Sequence, residues 1–189
     1  LFLTMMFTKE KIADTTKFVE SWKPYKEPTN PREQQDACEF LLLLLDNLKD
    51  ELFKGELISV NEGEHEPFHS ETSEVFWNIQ LDVKGCKSFE ESLNSFLQKE
   101  SISDYFAENL QKKIDIVHYF RIRKLPKYLV VQLKRFEYDV NTWRKVKIND
   151  RFTFPTSFDI SSLLEHPENK HNYSLIGIVI HCGTMEGGH

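Results

Sequence analysis

Apolar side chains at Ala37, Phe40, Leu41, Leu44, Leu45, Leu48 and Leu52 follow the spacing of one buried helical face, while Lys49, Asp50 and Lys54 fall outside it. Upstream, the prolines Pro24, Pro28 and Pro31 deprive the segment Trp22 to Pro31 of backbone donors and disfavour helix before each ring, so that segment reads as loop. Asn30 is a good N-cap, Pro31 suits the first helical position, and Glu33 completes a capping-box-like start. The pattern therefore predicts a helix that begins at this point and ends near Gly55. The polar run Asn61-Glu62-Gly63-Glu64-His65-Glu66, between Leu57 and His69, predicts an exposed loop without core residues. Val75 to Val83 is rich in β-formers, and Phe89, Leu93, Phe96 and Leu97 predict a short amphipathic helix over 89–97. Ile114 to Ile122, Tyr128 to Phe136 and Tyr173 to Cys182 are filled with β-branched and aromatic residues and predict strands. Helices followed by antiparallel strands make an α+β arrangement, with no internal repeat.

A chain of 189 residues fits one hydrophobic core, and its 15 Phe against 7 Gly and 7 Pro exclude a disordered segment. The net charge of −6, with no basic stripe interleaved with aromatics, argues against nucleic acid as a partner. Cys38, Cys86 and Cys182 are odd in number and widely spaced, which indicates neither a disulfide framework nor a zinc knuckle and favours a reducing compartment. The apolar opening Leu1 to Phe7 lacks a basic flank and a cleavage site, and no run approaches the roughly 18 residues of a membrane span, so the chain reads as soluble. It starts without Met and stops at His189, directly after Gly187-Gly188, so both ends read as cut.

Three clusters carry candidate chemistry. Gln35, Asp36 and Glu39 fall on the first turns of the predicted helix, where the macrodipole alone favours carboxylates. Leu125 to Phe136 reads as a core strand with the polar exit Lys134-Arg135. Tyr173 to Gly183, then a turn over Thr184 to Gly188, leads into His189; the paired glycines permit positive φ and so allow that His to start a returning strand. Of the other histidines, His65, His69, His166 and His171 sit in polar stretches and read as surface residues, His118 as packed or partly exposed, and His181 as a hydrogen-bonded residue on an apolar strand.

In order, the clusters read Gln34-Gln35-Asp36 with Glu39-Phe40-Leu41, then Leu125-Pro126, Leu129, Gln132-Leu133-Lys134-Arg135-Phe136, then Tyr173, Leu175, Gly177, His181, Gly183 and Gly187-Gly188-His189. Together they resemble the ubiquitin-specific protease family, across nearly the whole chain, and Glu27 to Asp36 with Phe136 to Asp139 looks most like its large fat-facets-type members. The resemblance implies a papain-like fold, incomplete at both ends: thumb helices over 1–56, a fingers-like region over 57–124 and palm strands over 125–189. It implies a thiol isopeptidase, intracellular (cytoplasmic or nuclear), acting on ubiquitin and ubiquitinated proteins, with no cofactor. In it His189 is the base that activates a cysteine and protonates the leaving amine, as suits an imidazole. The family's cysteine box would lie upstream of Leu1 and the residue orienting His189 downstream, so the chain alone is expected to be inactive. Cys38, inside a helix, and Cys182, beside His181 on a strand whose neighbours face opposite ways, are not expected to replace that cysteine. Asp36 and Glu39 match helix positions that in the family face the basic ubiquitin tail, Gln35 joins them as a substrate-binding candidate, and His181 matches a motif residue near the tail channel. Zinc-binding relatives carry two C-x-x-C pairs, but neither 57–74 nor the region of Ala107 and Leu110 contains one, so no metal is expected. The competing reading is a catalytically dead module that holds ubiquitin.

Overall fold

The computed structural model describes residues 12–23, 30, 36–48, 51–140, 142–164, 171–184 and 187. The chain divides into two units, Leu1–Leu44 and Leu45–His189, each described by itself.

In the first unit, helix α1 (Thr16–Ser21) starts where Asp14 Oδ1 accepts from the Thr16 N–H at 2.9 Å and from its hydroxyl at 2.6 Å. Those bonds hold the Asp14 carboxyl below its ordinary range. Phe18, Trp22 and Phe40 form a cluster of three rings, with centroids 5.1 to 6.2 Å apart. Helix α2 (Ala37–Leu48) begins later than the Asn30-Pro31 signal predicts: Asp36 is non-helical and caps the helix, while 31–35 lie outside the described residues. Of the predicted apolar stripe, Leu45 is buried, while Leu48, the last helical residue described, is 61% exposed and Leu52, in a turn, 41%.

The second unit is built on a four-stranded antiparallel sheet in the order β2-β1-β5-β4, from β1 (Gly55–Gly63), β2 (His69–Phe76), β4 (Glu100–Ala107) and β5 (Lys112–Lys124). The stretch expected as loop is thus the second half of β1 and its turn into β2, and Val60 and Phe68 within the 57–69 span are buried. The reason lies in the register. Ile58 and Val60 stand opposite Arg121 and Tyr119, and the charged ends above them pair off: Arg121 with Glu71, Arg123 with Glu56 at 3.1 Å, and the Tyr119 hydroxyl with Glu62 at 3.0 Å. Long polar side chains cover the apolar positions with their stems and satisfy one another, so a polar sequence here still forms ladder.

The opposite face carries the core. Leu57 and Ile122 pack with Ile79 and Leu81 of β3 (Ile79–Asp82), with Phe89 and Leu93 of α3 (Phe89–Leu97), and with Val83, Phe152 and Ile160. Helix α3 matches its predicted bounds because Ser88 Oγ accepts from the Glu91 N–H while Glu91 Oε2 accepts from the Lys87 N–H at 2.6 Å. A smaller cluster of Phe68, Ala107, Ile114 and Ile116 fills the other end of the sheet. The β-rich stretch Val75 to Val83 holds the end of β2 and then β3, separated at Trp77 and Asn78.

Strand β6 (Val131–Lys134) pairs with β3 in parallel, Leu81 opposite Leu133. It is followed by the antiparallel hairpin β7 (Phe136–Asp139) and β8 (Arg144–Lys147), with Trp143 in the left-handed region at φ +55°. Strand β9 (Ser157–Asp159) pairs with β10 (Asn172–Ser174). The strand predicted over Tyr173 to Cys182 stops at Ser174: 175–182 belong to no strand, and Ile176, Val179 and Ile180 are 84, 81 and 70% exposed. Their β-propensity has no described neighbour with which to form a ladder. Among the described residues no helix is long and apolar enough to cross a membrane.

Candidate functional site

His189 and Gln35 lie outside the described residues. The other residues named from sequence fall in different units, Asp36 and Glu39 in the first and His181 in the second.

Asp36 Oδ1 accepts from the backbone N–H of Cys38 at 2.7 Å and of Glu39 at 3.1 Å, and the Asp36 carbonyl receives the Phe40 N–H at 2.9 Å. Asp36 is therefore an N-cap, a role worth about 1 kcal/mol. One carboxylate oxygen makes both cap bonds, and a carboxylate has about four acceptor positions, so capping and a cationic ligand are compatible. Glu39 is exposed in the first turn. Burial pushes the Cys38 thiol up, and the neighbouring Asp36 carboxylate adds to this, opposite to what a thiolate nucleophile needs.

His181 is an exposed residue outside any strand, contrary to the strand position expected from its sequence. The alternation that set Cys182 apart from it therefore does not operate, and Cys182 is an exposed free thiol. The His181 ring lies edge-on to Phe136, centroids 5.2 Å apart at 79°. Its Nδ1 accepts from Lys147 Nζ at 3.1 Å, and the same ammonium donates to the carbonyls of His181 at 3.1 Å and Gly183 at 2.9 Å. Gly183 sits at φ +141°, where a side chain would be strained, and Thr184 N–H donates to Gly187 O at 2.9 Å.

The polar exit of the second cluster has a clear task. Arg135 Nη1 donates to the carbonyls of Ile148 at 3.0 Å and Asp150 at 3.1 Å, while the Arg135 carbonyl accepts from the Ile148 N–H at 2.7 Å. Arg135 thereby closes the base of the β7–β8 hairpin that presents Phe136 and Lys147. Below it, the Tyr173 hydroxyl donates to the Pro126 carbonyl, and burial raises that phenol to about 12. Among the described residues no three His, Cys, Asp or Glu side chains gather as metal ligands. Sequence reasoning missed Lys147. The signal was available in two short β-like runs flanking Val140 to Trp143, which put Phe136 and Lys147 in register.

Helix α3 and the antiparallel sheet of the second unit place the chain in the α+β class, and likeness to known proteins specifies it further. The family model for ubiquitin carboxyl-terminal hydrolase matches residues 1–189, and the chain belongs to that family. It is 34% identical over 177 residues to ubiquitin carboxyl-terminal hydrolase 5 of Schizosaccharomyces pombe, covering 82% of this chain and 16% of that protein. With the human ubiquitin carboxyl-terminal hydrolase 9Y it shares 30% over 213 residues, covering 89% of this chain and 8% of that protein. The Drosophila melanogaster probable ubiquitin carboxyl-terminal hydrolase FAF gives 31% over 204 residues, 89% of this chain and 7% of that protein. The chain thus spans a small fraction of the relatives it matches. Among solved structures, the SAGA module Ubp8/Sgf11/Sus1/Sgf73 bound to monoubiquitin superposes with a TM-score of 0.72 at 31% identity, covering 82% of this chain and 39% of that one. The same module bound to ubiquitin aldehyde gives 0.70, 31%, 82% and 40%. The fold is the papain-like ubiquitin-specific protease fold.

Proposed function

We propose that this chain is part of the catalytic domain of a thiol-dependent deubiquitinase, which in the whole protein hydrolyses the peptide or isopeptide bond after the C-terminal glycine of ubiquitin. The observation that carries the reading is the family match over residues 1–189, supported by likeness to a module solved with ubiquitin bound. In this reading residues 1–56 contribute thumb helices, 57–124 a fingers-like region held by packing and ion pairs, and 125–189 the palm. His189 takes the proton of a cysteine supplied by polypeptide outside residues 1–189. The thiolate adds to the glycine carbonyl, His189 returns the proton to the departing amine, and water then hydrolyses the acyl-enzyme. Gln35, Asp36 and Glu39 receive the basic ubiquitin tail and His181 lines its path. Ubiquitin and its conjugates are the partners, and the protein works inside the cell.

The test uses the full-length protein and ubiquitin carrying a C-terminal electrophile. A single covalent adduct is expected, and its formation should be blocked when excess free ubiquitin is added before the electrophile. Ubiquitin held without an adduct would reduce the chain to a binding module, and neither binding nor adduct would remove the ubiquitin reading altogether.

A further inference from the structure

Lys147 ends β8 and stands directly across the hairpin from Phe136, the first residue of β7. Its ammonium meets three acceptors on one short stretch, His181 Nδ1 and the carbonyls of His181 and Gly183, at 2.9 to 3.1 Å, and lies 6.0 Å from the Phe136 ring centroid. An ammonium has three N–H donors and no acceptor, so these three contacts match its full donor set. The edge contact with Phe136, ring centroids 5.2 Å apart at 79°, orients the ring plane.

The stretch gripped in this way is one that the fold otherwise holds lightly. Residues 175–182 belong to no strand and their apolar side chains are exposed; among the described residues the Leu175 N–H donates to the Thr156 carbonyl at 2.9 Å, and no ladder continues beyond it. The hairpin, in contrast, is ordered by its own register and by Arg135 at its base. One point charge at the end of a paired strand thus meets two carbonyls and one ring on a stretch outside any strand, just ahead of the Gly187-Gly188-His189 sequence.

We infer that Lys147 is a positioning residue for the proposed hydrolysis: it locks His181 and the Gly183 turn in the arrangement the reaction uses, a role that rests on the deubiquitinase reading above. A surface lysine kept for solubility or general stability would not split kinetic constants, whereas a positioning residue acts on the chemical step more than on affinity.

The experiment measures kcat and KM of the full-length protein on ubiquitin with a C-terminal amide-linked fluorophore, with ubiquitin affinity and Tm alongside. Lys147→Met is expected to lower kcat/KM about 100-fold, as a misplacement near 1 Å can, with most of the loss in kcat and ubiquitin affinity within about 3-fold. Lys147→Arg keeps a cation with several donors and recovers about 10-fold of that loss. If Lys147→Met does not accumulate folded, Lys147→Gln, which keeps polarity but lacks charge and reach, is read by the same criteria. A folded variant with kcat/KM within about 2-fold of wild type, or one whose loss lies wholly in ubiquitin affinity, overturns the inference. An inert wild type overturns the deubiquitinase reading itself and this inference with it; an active wild type with an indifferent Lys147→Met overturns the inference alone.

Discussion

Replacing Arg135 by Met separates a structural cation from a substrate-binding one. The substitution keeps an apolar stem of similar length but removes both Nη1 bonds, to Ile148 O at 3.0 Å and Asp150 O at 3.1 Å. The bond to Ile148 is partly buried, and a hydrogen bond from a charged group in such a place is worth about 1.5–3 kcal/mol. The exposed bond to Asp150 adds less, about 0.5–1 kcal/mol, for a total near 3 kcal/mol. For a domain of this size about 3 kcal/mol corresponds to a fall in Tm of roughly 6–12 °C. Thermal unfolding of wild type and R135M, followed by circular dichroism, measures it, and limited proteolysis should find new cleavage between Phe136 and Lys147. R135K, which offers one ammonium in place of the fork, should recover about half of the loss. An R135M protein that melts within about 1 °C of wild type, with the hairpin still protected, would refute the assignment of Arg135 to the hairpin base.

Gly55→Ala would drive a Cβ into the Phe76 ring, whose residue is only 8% exposed and has little room to swing away, so a loss of about 1–3 kcal/mol is expected in denaturant unfolding. A Gly55→Ala protein as stable as wild type would show that the β1–β2 end is looser than the structure indicates. Ser88→Ala removes the cap of α3 and should cost about 1 kcal/mol by the same assay, with no change counting against the cap. Hydrogen bonds from Ser73 and Arg123 hold Glu56 below its ordinary carboxylate range, and a bond from Tyr119 does the same for Glu62. Because the folded pKa is lowered, the stability these groups contribute is present above the unfolded value and is lost as pH falls through the folded one. Tm should therefore drop as pH is lowered from about 5 to 3, and the drop should shrink in Glu62→Gln; an unchanged acid slope in that variant would argue against Glu62 as a source.

What could be read along the chain was local and strongly periodic. The α3 bounds came from a cap and an amphipathic stripe within nine residues, and β5 from an unbroken β-rich run. The β1–β2 hairpin was hidden because the glutamates that make 61–66 look like a loop are met by side chains far apart in sequence: Tyr119 and Lys99 on Glu62, Ser101 on Glu64 and Lys112 on Glu66. The converse error occurred over 175–182, where propensity is high and no described strand lies alongside, so the residues that would make the ladder decide the outcome. The start of α2 was misplaced because Asn30 and Asp36 are both acceptable caps by residue type, and it is Asp36 whose Oδ1 accepts from N–H groups in the first turn of the helix described from Ala37. For the proposed site, Asp36, Glu39 and His181 could be named from sequence as motif residues. Lys147 was not, since its role arises from a cross-strand register and a contact 34 residues away.

The most direct measurement is the hydrolysis of ubiquitin–amide fluorophore by the full-length protein, wild type against His189→Ala. Wild type should turn over, and loss of the imidazole should lower kcat by about 10²–10⁴-fold while the protein stays folded and still binds ubiquitin. An alanine variant as fast as wild type, or a folded wild type with no turnover, would contradict the account.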